Sequence, residues 1–212
     1  MTPDQDTQQP APASGTTVPC IEIDALIVLR GQRLVIDRLT HRQNHGELCT
    51  LVGANGAGKS TLLRSIAGRL PAKSGEIKCH LPRFYIGHAD GLAGAISGWK
   101  NLQSWAAVND ITVAGNDIER ALDGFNAANF ADMPVQLLSR GQRRRLALAR
   151  LLLAPAPSIW LLDEPNNGLD QDSQIRLETA IASHLVAGGA VIAATHTEIA
   201  RSAATVHLAL GL

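Results

Sequence analysis

Gly53-Ala54-Asn55-Gly56-Ala57-Gly58-Lys59-Ser60 is the stretch from which the fold can be read. It follows the short apolar run Glu47 to Val52 and opens a stretch of good helix formers, Lys59 to Leu70, that ends against Pro71. The pattern is G-x-x-x-x-G-K-[ST], and its place between a strand and a helix is what turns a short match into a site. Glycines let backbone N–H groups curl around phosphates, and the helix that follows points its positive end at them. In such a loop Lys59 is placed for the β- and γ-phosphates, the Ser60 hydroxyl for Mg²⁺ and Thr61 for the α-phosphate. The nucleotide-binding candidates are thus Gly53, Ala54, Asn55, Gly56, Ala57, Gly58, Lys59, Ser60 and Thr61. By itself the loop specifies a nucleoside triphosphate and no more, since kinases and GTPases share it.

Working outward, Ile21, Ile23, Ala25 and Ile27 alternate as in a strand, and Arg33 to Leu39 gives a second, weaker one. Residues Met1 to Pro19 are rich in Gln, Pro, Thr, Ala and Ser and predict a disordered tail. Downstream, helices are predicted over Trp99 to Val108, Asp117 to Phe130 with Asn116 as cap, and Gly141 to Leu153. Ile159 to Leu162 and Ala190 to Ala194 are continuous apolar strands flanking a helix over Gln171 to Ala187. Strands apolar on both faces fit a parallel sheet covered by helices, hence an α/β fold. A chain of 212 residues forms one domain, with residues 20–88 and 152–212 as core and 89–151 as a helical subdomain.

Two further motifs select among triphosphate-binding proteins. The strand Ile159 to Leu162 runs into Asp163-Glu164-Pro165, placing two carboxylates at the strand end where open α/β sheets bind ligands. Asp163 is the candidate for Mg²⁺ together with Ser60, and Glu164 for orienting and polarising the attacking water. Leu138-Ser139-Arg140-Gly141-Gln142 supplies a serine cap and a glycine at a second anion-binding helix end. One triphosphate does not need two such ends in one chain.

These residues resemble the signature L-S-x-G-Q of the ABC ATPases, and the chain is similar to that family from about Ile21 to Leu212. The resemblance implies a P-loop fold with a mixed sheet core, ATP and Mg²⁺ as ligands, and a head-to-tail homodimer. In it Ser139, Arg140, Gly141 and Gln142 of one protomer close on the γ-phosphate held by the other. It further implies that Gly168-Leu169-Asp170 crosses the dimer interface at Asp170 and that His196, after Ala193-Ala194-Thr195, contacts the γ-phosphate. Two positions depart from the family pattern. His88, in Tyr85-Ile86-Gly87-His88, stands where a glutamine usually senses Mg²⁺ and the membrane subunit, and Arg30 stands where an aromatic residue usually stacks on adenine. Imidazole is a softer ligand than an amide oxygen. A guanidinium can stack on a base, and a solvated turn residue is the competing reading of Arg30.

Within the superfamily the chain looks most like the ATP-binding subunits of Ccm-type cytochrome c maturation systems. Tyr85 to His88, Asp132-Met133-Pro134-Val135, Gly141 to Leu151 and Trp160 to Pro165 carry that similarity. It implies a peripheral protein on the cytoplasmic face of a bacterial inner membrane, bound to integral-membrane, permease-like subunits and coupling ATP hydrolysis to haem export or to release of haem from a chaperone. The alternatives are the ATPase subunit of another small importer or exporter and a soluble ABC ATPase acting on nucleic acid or ribosomes. Lysine plus arginine equals aspartate plus glutamate at 19 each, which predicts no direct attraction to nucleic acid. Arg143-Arg144-Arg145 spans most of a helix circumference rather than forming a stripe, and reads as a solvated face with ion pairs. Cys20, Cys49 and Cys79 lack metal-type spacing and read as reduced thiols. His41 and His45 fall in a predicted loop and carry no metal site.

Overall fold

A strand that is apolar on both faces must be covered on both, and the computed structural model, which describes residues 18–195, 199 and 205–210, shows how this is done. In chain order the strands are β1 (Ile21–Arg30), β2 (Arg33–Gln43), β3 (Leu48–Val52), β4 (Ser74–Cys79), β5 (Arg83–Ile86), β6 (Ile159–Asp163), β7 (Ala190–Ala194) and β8 (Thr205–Ala209). The helices are α1 (Lys59–Ile66), α2 (Gly98–Val108), α3 (Gly115–Gly124), α4 (Arg140–Ala149) and α5 (Gln171–Val186). Strands β5-β6-β7-β3-β8 form a parallel sheet, and β2-β1-β4 a separate antiparallel one.

Successive residues of each central strand feed two different cores. Trp160 and Leu162 of β6 and Val191 and Ala193 of β7 pack with Leu102, Leu122, Leu146 and Leu177 from α2 to α5. Ile159, Leu161, Ile192 and Leu51 point the other way, to Leu62, Leu63 and Ile66 of α1 and to Ile21, Leu26 and Val28 of β1. Each fully buried leucine in these clusters contributes roughly 1.5–3 kcal/mol relative to exposure. Between the two β sheets lies α1, so the phosphate-loop helix is packed on both sides. Gln43 ties the end of β2 to the sheet, its side-chain amide donating to the Glu47 and Val191 carbonyls at 2.9 Å each.

Several element ends differ from the sequence expectation, each for a local reason. Helix α1 stops at Ile66 rather than running to Leu70, because Gly68 adopts a left-handed φ of +71° and Arg69 N–H returns to the Arg64 carbonyl at 2.8 Å. Helix α3 begins at Gly115, and Asn116 is not its cap; the Asp117 carboxylate accepts the Ala114 N–H at 2.7 Å instead. It ends at Gly124, where Asn126 turns left-handed at φ +49°, and residues Ala128–Phe130 form a separate 3-10 turn. His41 lies within β2 and not in a loop, and no group of three potential metal ligands occurs among the described residues. The three cysteines are free, with burial raising Cys20 and Cys49 to about 12. The expected tail falls on residues 1–17, which lie outside the described residues, as does His196. No helix among the described residues is long and apolar enough to cross a membrane.

One polar pair inside the apolar layer makes stability depend on pH. The His184 ring stacks on Trp160 at 3.8 Å between centroids, and its Nε2 lies 2.9 Å from the Ser158 carbonyl. A carbonyl only accepts, so the proton is on Nε2. Burial lowers the His184 pKa below its ordinary 6.5. A depressed folded-state value means the unfolded chain binds the proton more readily. The stabilisation is complete above pH 6.5 and is given up as pH falls through the lowered value. We expect the thermal midpoint to drop between pH 7.5 and 5.5. His184→Gln, which keeps a donor but does not titrate, lowers the midpoint at both pH values and flattens the difference; an undiminished pH dependence would show that the ring is not its source.

Candidate functional site

In a parallel sheet with these connections the chain leaves every strand at the same edge, and the candidate residues collect there. Asp163 pairs in register with Ala194, and Ala194 with Leu51, so β6, β7 and β3 end level with one another. Beyond β3 the loop curls with Gly53, Gly56 and Gly58 at φ +149°, +83° and +104°. Glycine is required at two of these for reasons of space as well as φ. A Cβ at Gly58 would stand 2.9 Å from Val35 Cγ1 of β2, and one at Gly53 would collide with the Leu210 carbonyl that follows β8. Gly58 offers α1 no side-chain cap, which leaves the first-turn N–H groups available to an anion.

The resulting cavity, about 520 Å³, is lined by Ala54, Asn55, Gly56, Gly58, Lys59, Ser60 and Thr61, and by Arg30, Arg33, Val35, His88, Asp163 and Glu164. Gly53 and Ala57 belong to the loop without lining the cavity. The Lys59 ammonium folds back on its own loop, donating to the Gly53 carbonyl at 2.6 Å and to Ala54 at 3.2 Å. Ser60 Oγ donates to Asp163 Oδ1 at 2.9 Å, joining positions 103 residues apart. Hydroxyl and carboxylate oxygens side by side fit a hard cation such as Mg²⁺, which takes few protein ligands and keeps waters. Glu164 next to it is half-buried with a left-handed φ of +49°, a conformation that costs a non-glycine residue energy and persists only when its surroundings enforce it. Its N–H donates to the Ala194 carbonyl at 2.8 Å. His88 and Arg30 are exposed and line the cavity, one after β5 and the other at the end of β1.

Ser139 to Gln142 do not line this cavity; they head α4 elsewhere on the surface. Ser139 Oγ accepts the Gln142 N–H at 3.3 Å, and Gln142 Oε1 accepts the Ser139 N–H at 2.8 Å, a reciprocal cap. The strand-end loop passes beside this helix start, where a Cβ on Gly141 would stand 3.0 Å from the Gly168 carbonyl. Asp170 then caps α5 by accepting the Ser173 N–H at 2.9 Å, and the Ser173 side chain together with that N–H holds its carboxyl below the usual range.

Two residues that sequence reasoning missed complete the site. Tyr85 of β5 donates its hydroxyl to Asp163 Oδ2 at 3.2 Å, so both carboxylate oxygens have partners. Burial raises the Tyr85 pKa, which keeps the phenol a donor. A lone tyrosine on a strand carries no sequence signal of its hydroxyl's direction. Arg144 overturns the solvated-face reading of the arginine run: it is 3% exposed and donates to the carbonyls of Gly87, Asp163, Glu164 and Pro165. Arg143 and Arg145 are half-buried, donating to Leu138 and Asn126 carbonyls, and Arg145 also lies over the Phe130 ring at 4.9 Å. The one hint that Arg144 faces inward is its place three and four residues before apolar Ala147 and Leu148, on the same helix face.

Residues 36–167 match the family model described as ABC transporter. The cytochrome c biogenesis ATP-binding export protein CcmA of Sphingopyxis alaskensis is 41% identical over 180 residues, which cover 85% of this chain and 91% of that protein. A putative ABC transporter ATP-binding protein from Pyrococcus furiosus superposes with a TM-score of 0.77 at 27% identity, covering 90% of this chain and 96% of the other. The dimeric ATP-binding cassette MJ0796, in a post-hydrolysis state with ADP and Pi, has the same fold, with a TM-score of 0.77 at 19% identity over 91% of this chain and 97% of its own. With the loop, the strand-end carboxylates and the capped signature helix on one parallel sheet, the chain belongs to the ABC transporter family.

Proposed function

We propose that this chain is the ATP-hydrolysing subunit of a cytochrome c maturation transporter, coupling hydrolysis to haem export or to release of haem from its chaperone. The observation that carries the hydrolytic part is the Ser60–Asp163 hydrogen bond, which brings the strand-end carboxylates against the phosphate loop with Glu164 on the cavity wall. The haem pathway rests on the 41% identity to CcmA over nearly all of that relative's length.

On this reading the loop amides and the α1 N-terminus hold the phosphates, and Lys59 leaves its two carbonyls for the β- and γ-phosphates. Ser60 and Asp163 would hold Mg²⁺, and His88, which lines the same cavity, is the sensor position. The bound ion supplies neutralisation of the phosphate charge. Glu164 orients a water and takes its proton as the water oxygen bonds to the γ-phosphorus and the bond to ADP breaks. His196, outside the described residues, is the family's γ-phosphate contact. The guanidinium of Arg30 is the base-stacking candidate on the cavity wall.

The signature helix start does not face its own chain's cavity, and MJ0796 is dimeric with its hydrolysis products. Both support an ATP-dependent homodimer in which Ser139 to Gln142 complete the partner's site and Asp170 lies at the interface. Segment 89–151 then serves as the helical subdomain and residues 20–88 and 152–212 as the core. The complex is peripheral at the cytoplasmic face of the inner membrane, held by permease-like subunits and without direct nucleic-acid contact.

Four results test this reading. Lys59→Ala is expected to lower kcat/KM for ATP by roughly 10²–10³-fold. Glu164→Gln is expected to retain ATP and trap the dimer while turnover falls by roughly 10²–10⁴-fold; full turnover in this variant removes its assigned role. Tyr85→Phe, which strips one partner from Asp163, is expected to raise the Mg²⁺ concentration for half-maximal turnover by about tenfold. Deletion in the source organism should abolish covalent haem on c-type cytochromes; normal haem staining there rejects the pathway while leaving the ATPase standing.

A further inference from the structure

Arginine carries five N–H donors in a rigid fork, and in Arg144 each has a destination. Nε donates to the Pro165 carbonyl at 3.1 Å. Nη1 donates to the Gly87 carbonyl at 2.8 Å and to Asp90 Oδ1 at 3.2 Å. Nη2 donates to the carbonyls of Asp163 at 3.1 Å and Glu164 at 2.8 Å. Three consecutive carbonyls at the end of β6 and two groups flanking His88 are therefore held by one buried side chain. That side chain belongs to α4, two residues after the last signature residue.

A buried guanidinium is costly to desolvate, and burial does pull Arg144 below its ordinary pKa while Asp90 and Asp163 oppose the shift. An apolar residue would fill the same space without that cost, so the charge is kept for what it holds. What it holds is strained. Glu164 sits at φ +49°, pinned on one side by its N–H to Ala194 and on the other by its carbonyl to Arg144. The neighbouring turn is tied to the same helical unit a second time, since Arg150 donates to the Asp90 and Gly91 carbonyls at 3.0 and 2.9 Å.

We propose that Arg144 is a positioning residue for hydrolysis, holding the Glu164 backbone in its left-handed conformation and fixing the Gly87–Asp90 turn relative to it, so that the angle of the signature helix sets the aim of the catalytic carboxylate. This deepens the reading of Glu164 as the water-orienting base and rests on it. Arg144 does not line the nucleotide cavity; it acts through Glu164.

The test uses the full-length chain purified with its membrane partners. Arg144→Lys keeps a charge against Asp90 but cannot fork to Gly87 and Glu164 together. It is expected to lower ATP turnover by about tenfold or more while KM for ATP stays within about twofold. In a Glu164→Gln background the same substitution should change residual turnover by less than about twofold, because the two act as a unit. Unchanged turnover, a KM that rises in step with the loss, or full multiplication of the two losses overturns the proposal. Arg144→Gln, followed by thermal midpoint and ATP affinity, adds a second reading: turnover lost with affinity and midpoint retained supports positioning, and a loss that tracks the midpoint assigns the residue to stability. If Glu164→Gln alone leaves turnover intact, the role of Glu164 fails, an outcome distinct from any result at Arg144.

Discussion

A parallel sheet apolar on both faces must be covered on both, and this constraint governs everything else in the molecule. Parallel strands deliver all their exits to one edge. The glycine loop after β3, the carboxylates after β6, the His88 turn after β5 and Thr195 after β7 are neighbours for that reason alone, although they span most of the sequence. The site requires no long-range recognition between loops; it follows once the strand order is fixed. The antiparallel sheet adds the remaining wall by setting Val35 and Ile36 against Gly58.

The packing also divides the chain's labour. One core lies between the parallel sheet and α2 to α5, and the other between the sheet, α1 and β1. Phosphate-binding residues are seated in the second core, and the signature helix in the first. Arg144 reaches from the signature helix to the strand ends, so the two halves of the function are joined by hydrogen bonds from one guanidinium to backbone carbonyls as well as by the apolar contacts of the shared strands.

What could be read from the sequence is what short-range pattern encodes. The strands Ile159 to Leu162 and Ala190 to Ala194, the loop between strand and helix, and the serine cap at Ser139 each follow from spacing over fewer than about ten residues. Helix ends were read less well because they turn on single left-handed residues, Gly68 and Asn126, whose role is indistinguishable in sequence from that of other glycines and asparagines. Strand β4, Ser74 to Cys79, has no continuous apolar face and gains its definition from β1, β5 is only four residues long, and β8 is interrupted by His207, so none of the three stands out in the sequence. Arg144 and Tyr85 were illegible for a further reason: a polar side chain's direction depends on acceptors that arrive from 19 to 78 residues away.

The Lys59 ammonium, resting on the Gly53 and Ala54 carbonyls, gives the loop a property that its glycines alone would not. Three positive-φ glycines make a flexible hoop, and the lysine laces it from inside. With Ala57 N–H on the Ala54 carbonyl at 3.1 Å, the hoop is rounded by hydrogen bonds of its own. The entropy of shaping it is spent in folding and not again at each catalytic cycle. A nucleotide therefore meets a cast and not a ribbon, and what it must do on arrival is exchange one pair of oxygen partners for another.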